Sequence, residues 1–113
     1  MTRRTEQVTS LIQQELGRLM LELELPAMTT ISRVDVTQDL KHAKIWITVF
    51  SEDKVIEESV LEELGKHMYE LQGQLNRSFT MHHTPRIAFA IDNSQHYASR
   101  INELLRRTKD EEQ

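Results

Sequence analysis

The chain has 113 residues, 38% of them hydrophobic and 28% charged, with a formal net charge of −4; this fits one domain and leaves no room for a second. A chain of this length buries roughly two-thirds of its unfolded surface, and with no cysteine it has no disulfide framework, no thiolate nucleophile and no Cys-based zinc site. The opening residues Met1-Thr2-Arg3-Arg4, with Glu6 and Gln7 behind them, form no signal-peptide core, and the apolar-rich runs Leu16 to Leu25 and Ile45 to Phe50 are far shorter than the ~18 residues of a membrane span, so a soluble cytoplasmic protein is expected.

Hydrophobic periodicity gives the elements in order. Val8, Leu11, Ile12, Leu16, Leu19, Met20 and Leu23 recur at three- and four-residue steps and predict a helix from about Thr5 to Glu24, stopped by Pro26. Ile31, Val34 and Val36 mark an extended segment. A second follows, in which Ala43, Ile45, Ile47 and Val49 alternate with Lys44, Trp46 and Thr48, as a sheet with one apolar face requires. The intervening Thr37-Gln38-Asp39-Leu40-Lys41-His42 is short and polar, so a hairpin is expected.

Beyond an acidic stretch, Val60, Leu61, Leu64, Met68, Leu71, Leu75 and Phe79 follow helical spacing, as one long helix or as two joined at a kink. Gly65 and Gly73 are the glycines inside it, and either relaxes a turn at a cost of about 1 kcal/mol. Arg86-Ile87-Ala88-Phe89-Ala90-Ile91 reads as a third strand. Asp92, Asn93 and Ser94 are N-cap candidates for a last helix carrying Tyr97, Ile101, Leu104 and Leu105. The expected order is α-β-β-α(-α)-β-α, a single domain over residues 1–108 with a short acidic tail at 109–113. The long helical crossover can bring the third strand parallel to a neighbour and cover one sheet face with helices.

Charge is unevenly distributed. From Ser51 to Glu63 six acids face the single Lys54, and Asp110, Glu111 and Glu112 lie at the end. From Leu64 to Arg107, Lys66, Arg77, Arg86, Arg100, Arg106 and Arg107 oppose Glu70, Asp92 and Glu103. That polarity bears on steering more than the total does.

Two segments carry a family resemblance. Ile31 to Ile45, with Asp39-Leu40 ahead of Ala43-Lys44, is similar to the hairpin of ribosome-binding factor A. Thr84 to Ser94 is similar to that family's Pro-x-Leu-x-Phe-x-x-Asp-x-Ser signature. Arg3-Arg4 at the head of the first helix and Arg100-Ile101 fit as well, so the resemblance runs from about Arg3 to Leu105. Two positions depart from the pattern. An ungapped count back from Pro85 puts His67-Met68-Tyr69 where the family has an Ala-x-Gly kink, whereas Leu71-Gln72-Gly73 matches only the glycine and only with a gap. The acid that often follows the proline is replaced by Arg86.

The resemblance implies a type II KH-like α+β domain, a three-stranded sheet packed by helices. It also implies an RNA-binding factor for late maturation of the small ribosomal subunit, docking near the neck and the 5′ region of its rRNA. Expected partners are that subunit and its rRNA, with ribosomal proteins and assembly GTPases as further ones; a role in cold adaptation and a monomeric state are expected too.

An RNA surface needs cations along one face to displace counterions from phosphates. The candidates are Arg3 and Arg4 on the first helix, Lys41 and Lys44 on the hairpin, Lys66 and Arg77 on the second helical segment, and His82, His83 and Arg86 at the third strand. Without the resemblance, these read as ordinary solvated charges. No Gly-x-x-Gly clamp exists, so side-chain charge and shape are expected to carry binding, with folded rRNA or a ribosomal cleft as target. Trp46, opposite in phase to Ile45 and Ile47, is a candidate for base stacking or for packing against another element. A protein-interaction module presenting the acidic Glu52 to Glu63 face to a basic partner is the alternative reading.

Catalysis finds no support in the pattern. Adjacent strand residues such as His82 and His83 point to opposite faces and cannot share one ion. There is no nucleophile elbow or P-loop, and no cofactor or metal is expected.

Overall fold

The computed structural model describes residues 3–79 and 84–93. The expected last helix, the His82-His83 pair and the acidic tail lie outside them. Helix α1 spans Arg3–Leu21 and buries Val8, Ile12, Leu16, Leu19 and Met20, the stripe its spacing predicts. It ends earlier than Pro26 requires. The amides of Glu22 and Leu23 donate to the carbonyls of Leu19 and Met20 at 3.1 and 3.2 Å, a tightened last turn. The chain then runs with Leu23, Leu25 and Ala27 packed against the core and Glu22, Glu24 and Pro26 exposed. This two-residue alternation favours extended backbone before the proline acts.

The strands are β1 (Thr29–Val36), β2 (His42–Val49) and β3 (Arg86–Ile91), in the spatial order β1-β2-β3. β1 pairs antiparallel with β2, and β2 pairs parallel with β3. Central β2 buries Ala43, Ile45, Ile47 and Val49 on one face. In β1 the register shifts between Ile31 and Arg33. With Ser32 as the extra residue of a bulge, both Ile31 and Val34 reach the core side despite lying three apart. The Ser32 and Thr48 hydroxyls hydrogen-bond across the strands at the bulge.

Two helices make the crossover from β2 to β3. α2 (Lys54–Lys66) is capped by Asp53, whose carboxylate accepts from the Val55 amide at 2.9 Å. α3 (Met68–Ser78) follows a break at His67, where one amide is shared between the Glu63 and Leu64 carbonyls at 3.3 and 3.2 Å. Of the two arrangements the spacing allows, the segment is two helices joined at a break, and neither glycine makes it. Gly65 lies within α2 and Gly73 within α3, each with open space where a Cβ would stand. The break falls at the ungapped position of the family's kink.

Val60 and Leu64 of α2 join Leu71 and Leu75 of α3, the α1 stripe and the inner faces of the strands in one core. All described helices thus pack on the same face of the sheet.

Candidate nucleic-acid interface

Strand alternation puts a second set of side chains on the sheet's other face: Arg33 and Asp35 from β1, Lys44 and Trp46 from β2, Arg86 and Ala88 from β3. The register aligns Arg33 with Trp46, Asp35 with Lys44, Lys44 with Ala88, and His42 with Arg86. Among the described residues no helix covers this face, and Arg33, Lys44 and Arg86 are exposed there.

The Trp46 ring is held at three points. Its indole N–H donates to Asp35 Oδ2 at 2.8 Å, Arg33 Cζ lies 4.6 Å from the ring centroid, and Lys44 Nζ lies 4.2 Å from it. Arg33 Nε also lies 3.4 Å from Asp35 Oδ2. The carboxylate thereby fixes the ring and offsets one of the two cations over it. Contacts of this kind contribute about 0.5–1 kcal/mol each at exposed sites, enough to order the long side chains without removing them from solvent.

The hairpin tip is built by Asp39, whose Oδ1 accepts from the Thr37 hydroxyl at 2.6 Å and from the Lys41 amide at 3.0 Å. These two hydrogen bonds, the hydroxyl first, hold its carboxyl below the usual value. Leu40 turns the chain with φ 60° and packs its side chain toward the core. The Lys41 carbonyl accepts from the Arg86 amide at 2.9 Å, so the tip and the start of β3 are joined by backbone. An open, mostly apolar depression of about 520 Å³ lies at this end, lined by Val36, Ala43, Ile87 and Phe89 with Lys44 and Arg86 also in its lining.

Gln72 of α3 fixes the start of β3. Its Nε2 donates to the Pro85 carbonyl at 3.1 Å and its Oε1 accepts from the Ile87 amide at 3.0 Å. One side chain thus grips the backbone on both sides of Arg86.

The candidate cations divide between two layers. Lys41, Lys44 and Arg86 come together on the hairpin and on the sheet face that no described helix covers. Arg3, Arg4, Lys66 and Arg77 belong to the helical layer. Lys66 Nζ lies 3.6 Å from Glu63, which also flanks His67 at 3.6 Å, and exposed Glu58 and Glu62 lie on the same helix. His82 and His83 lie outside the described residues. Arg33 was missing from the candidate set, although its phase is legible once Val34 and Val36 are placed inward. Among the described residues no group of three or more His, Asp or Glu side chains is arranged to hold a metal ion.

A helix-covered sheet of this order, with two antiparallel strands and a third added in parallel across a broken helical crossover, defines a type II KH-like α+β domain. Ribosome-binding factor A from Thermus thermophilus has the same fold, with a TM-score of 0.68 at 22% identity over 79% of this chain and 96% of that one. A Thermus thermophilus homology model fitted into a cryo-EM map of a 30S–ribosome-binding factor A complex aligns with a TM-score of 0.63 at 22% identity, over 75% of this chain and 91% of that one. In sequence, residues 4–105 match the ribosome-binding factor A family. The family's protein from Halothermothrix orenii is 32% identical, covering 97% of this chain and 92% of its own. The one from Synechococcus sp. is 34% identical, covering 98% and 82%. The chain belongs to the ribosome-binding factor A family.

Proposed function

We propose that this chain binds the immature small ribosomal subunit and its rRNA in the cytoplasm, promotes late maturation of the rRNA 5′ region, and leaves when that is complete. The observation that carries the reading is the clustering of Arg33, Lys41, Lys44 and Arg86 on and beside a sheet face that no described helix covers, in a chain whose net charge is −4. Membership of a family named for ribosome binding, and a structural neighbour fitted to a 30S complex, support it.

The chemistry is binding without bond cleavage. A protein that contacts one rRNA conformation better than another shifts the population toward it by that difference in affinity. All three glycines lie in helices, so phosphates meet side-chain cations rather than a glycine clamp. The chain acts as a monomer without a cofactor, and ribosomal proteins and assembly GTPases are its further partners during cold adaptation.

The acidic layer supports a secondary contact. Glu58 and Glu62 are exposed on α2, which suits a basic ribosomal protein.

Co-sedimentation with immature and mature small subunits at low and high salt tests the proposal. The sheet-face variant Lys44→Glu/Arg86→Glu is compared with the helix-layer variant Lys66→Glu/Arg77→Glu. Preferential, salt-sensitive binding to immature subunits, lost in the first variant and largely kept in the second, is the expected result. A native chain that stays in the supernatant in every condition overturns it.

A further inference from the structure

We infer that the Trp46 cluster is a seat for an unpaired base, so that the sheet face that no described helix covers takes a single-stranded or extruded stretch of RNA rather than a duplex. The inference rests on the RNA-binding reading above and adds the kind of RNA recognised.

Four observations converge on it. The ring stands on the central strand of the sheet, where its indole N–H is anchored to Asp35 at 2.8 Å, so little ordering remains to be done when a base arrives. Among the described residues, the neighbouring strand puts only small side chains next to the ring: the register sets Ala90 beside Trp46 and Ala88 beside Lys44. This leaves the β3 side of the ring unobstructed by bulk. The two groups lying over the ring, Arg33 and Lys44, are long and solvent-exposed. A cation–π contact at an exposed site is weaker than base–aromatic stacking, so a base can displace one of them. The displaced cation is then within reach of the phosphate attached to that base. Lastly, Arg86 is exposed at the start of β3 on the same face, across from His42 and two residues before Ala88, giving the sugar-phosphate chain a further cation beyond Lys44. A duplex cannot use this arrangement, because its base faces are stacked inside and only its sugars and phosphates reach a protein surface.

Trp46 is the sole tryptophan, so intrinsic emission reports on this ring alone. The experiment titrates the full chain with oligoadenylate, with the same strand annealed to oligouridylate, and with polyglutamate as a mimic of an acidic protein surface. Binding of dye-labelled oligoadenylate is followed in parallel by anisotropy for Trp46→Phe, Trp46→Thr and Arg33→Gln/Lys44→Gln. Threonine keeps strand propensity while removing the ring, and circular dichroism checks that each variant is folded.

The single strand is expected to quench emission strongly and the duplex weakly. Trp46→Thr should bind about tenfold more weakly, as the loss of one stacked base predicts, and Trp46→Phe should retain most of the affinity. Arg33→Gln/Lys44→Gln should flatten the salt dependence of binding. Equal quenching by duplex, or quenching by polyglutamate in place of RNA, overturns the inference. Unchanged emission with oligoadenylate, in a chain that still co-sediments with small subunits, overturns it while leaving the proposed function standing. Loss of both removes both.

Discussion

Replacing Gln72 with Leu should cost more stability than any other single change at a polar position of α3, because one amide closes two backbone hydrogen bonds of the edge strand. Gln72 Nε2 donates to Pro85 O at 3.1 Å and Oε1 accepts from Ile87 N at 3.0 Å, both part-buried. Leucine keeps the bulk and the helix propensity but leaves an amide and a carbonyl without their partner. At a net value of about 0.5–1.5 kcal/mol per bond, the loss is about 1–3 kcal/mol. A central value of about 2 kcal/mol lowers Tm by about 8 °C in a domain of this size. Urea and thermal melts followed by circular dichroism read it directly. Asn76→Ala is the control: it removes only the exposed contact of Asn76 with the Gln72 amide, at 3.1 Å, and should stay within about 0.5 kcal/mol of native. Since the bridge grips the backbone on both sides of Arg86, Gln72→Leu should also weaken subunit binding. A Gln72→Leu protein within about 0.5 kcal/mol of native would refute the argument, showing that water satisfies β3 as well as the side chain does.

Three smaller predictions concern the same fold. Gly73→Ala should stabilise by about 0.5–1 kcal/mol in denaturant melts, because the position is helical and nothing stands within 4 Å of the added Cβ. Ile45→Ala, at a side chain with 0% exposure in the central strand, should destabilise by about 2–5 kcal/mol in the same melts. Asp39→Asn should destabilise the hairpin at neutral pH. Its carboxyl is held below the usual value by the Thr37 hydroxyl and then the Lys41 amide, so its contribution is present above the unfolded value of about 3.9 and lost as pH falls through the lower folded value. The stability gap between native and variant should therefore close as melts are taken from neutral pH to well below pH 4.

Legibility in the sequence followed how local each determinant was. β2 was legible because Ala43, Ile45, Ile47 and Val49 alternate strictly, which only a strand with one buried face explains. β1 was legible in kind but not in detail: the three-residue step from Ile31 to Val34 makes sense only with the bulge at Ser32, a property of its pairing with β2 rather than of β1 itself. The α2–α3 break left no trace in periodicity. Leu64, Met68, Leu71 and Leu75 continue the stripe straight through it, and the residue at the break, His67, is neither glycine nor proline. The α1 end at Leu21 is not marked by Pro26 but by the two-residue alternation of Leu23, Leu25 and Ala27, which pack against the core. At the site, Lys44 and Arg86 were found as single charges, but nothing local shows that a parallel pairing sets β3 beside β2. Lys66 and Arg77, nearer to Arg86 along the chain than Lys44 is, belong to the other layer.

The same layering bears on how a chain of net charge −4 would meet the RNA proposed as its partner. The exposed glutamates of α2 and the sheet-face cations are separated by at least the thickness of a helix, about 10–12 Å, which exceeds the Debye length of about 8 Å at physiological ionic strength. Under those conditions a phosphate near Lys44 and Arg86 is attracted by them and largely screened from Glu58 and Glu62. At low salt the Debye length grows to about 30 Å at 0.01 M, and the acidic layer then repels the same phosphate. Association with RNA should therefore strengthen less on dilution of salt than the number of sheet-face cations implies. Neutralising the far layer with Glu58→Gln/Glu62→Gln should restore the steeper dependence while leaving binding at physiological salt nearly unchanged. A salt titration that is identical for the native and neutralised chains would mean that the acidic layer is not felt at the interface, and that the polarity of the fold does not tune the encounter.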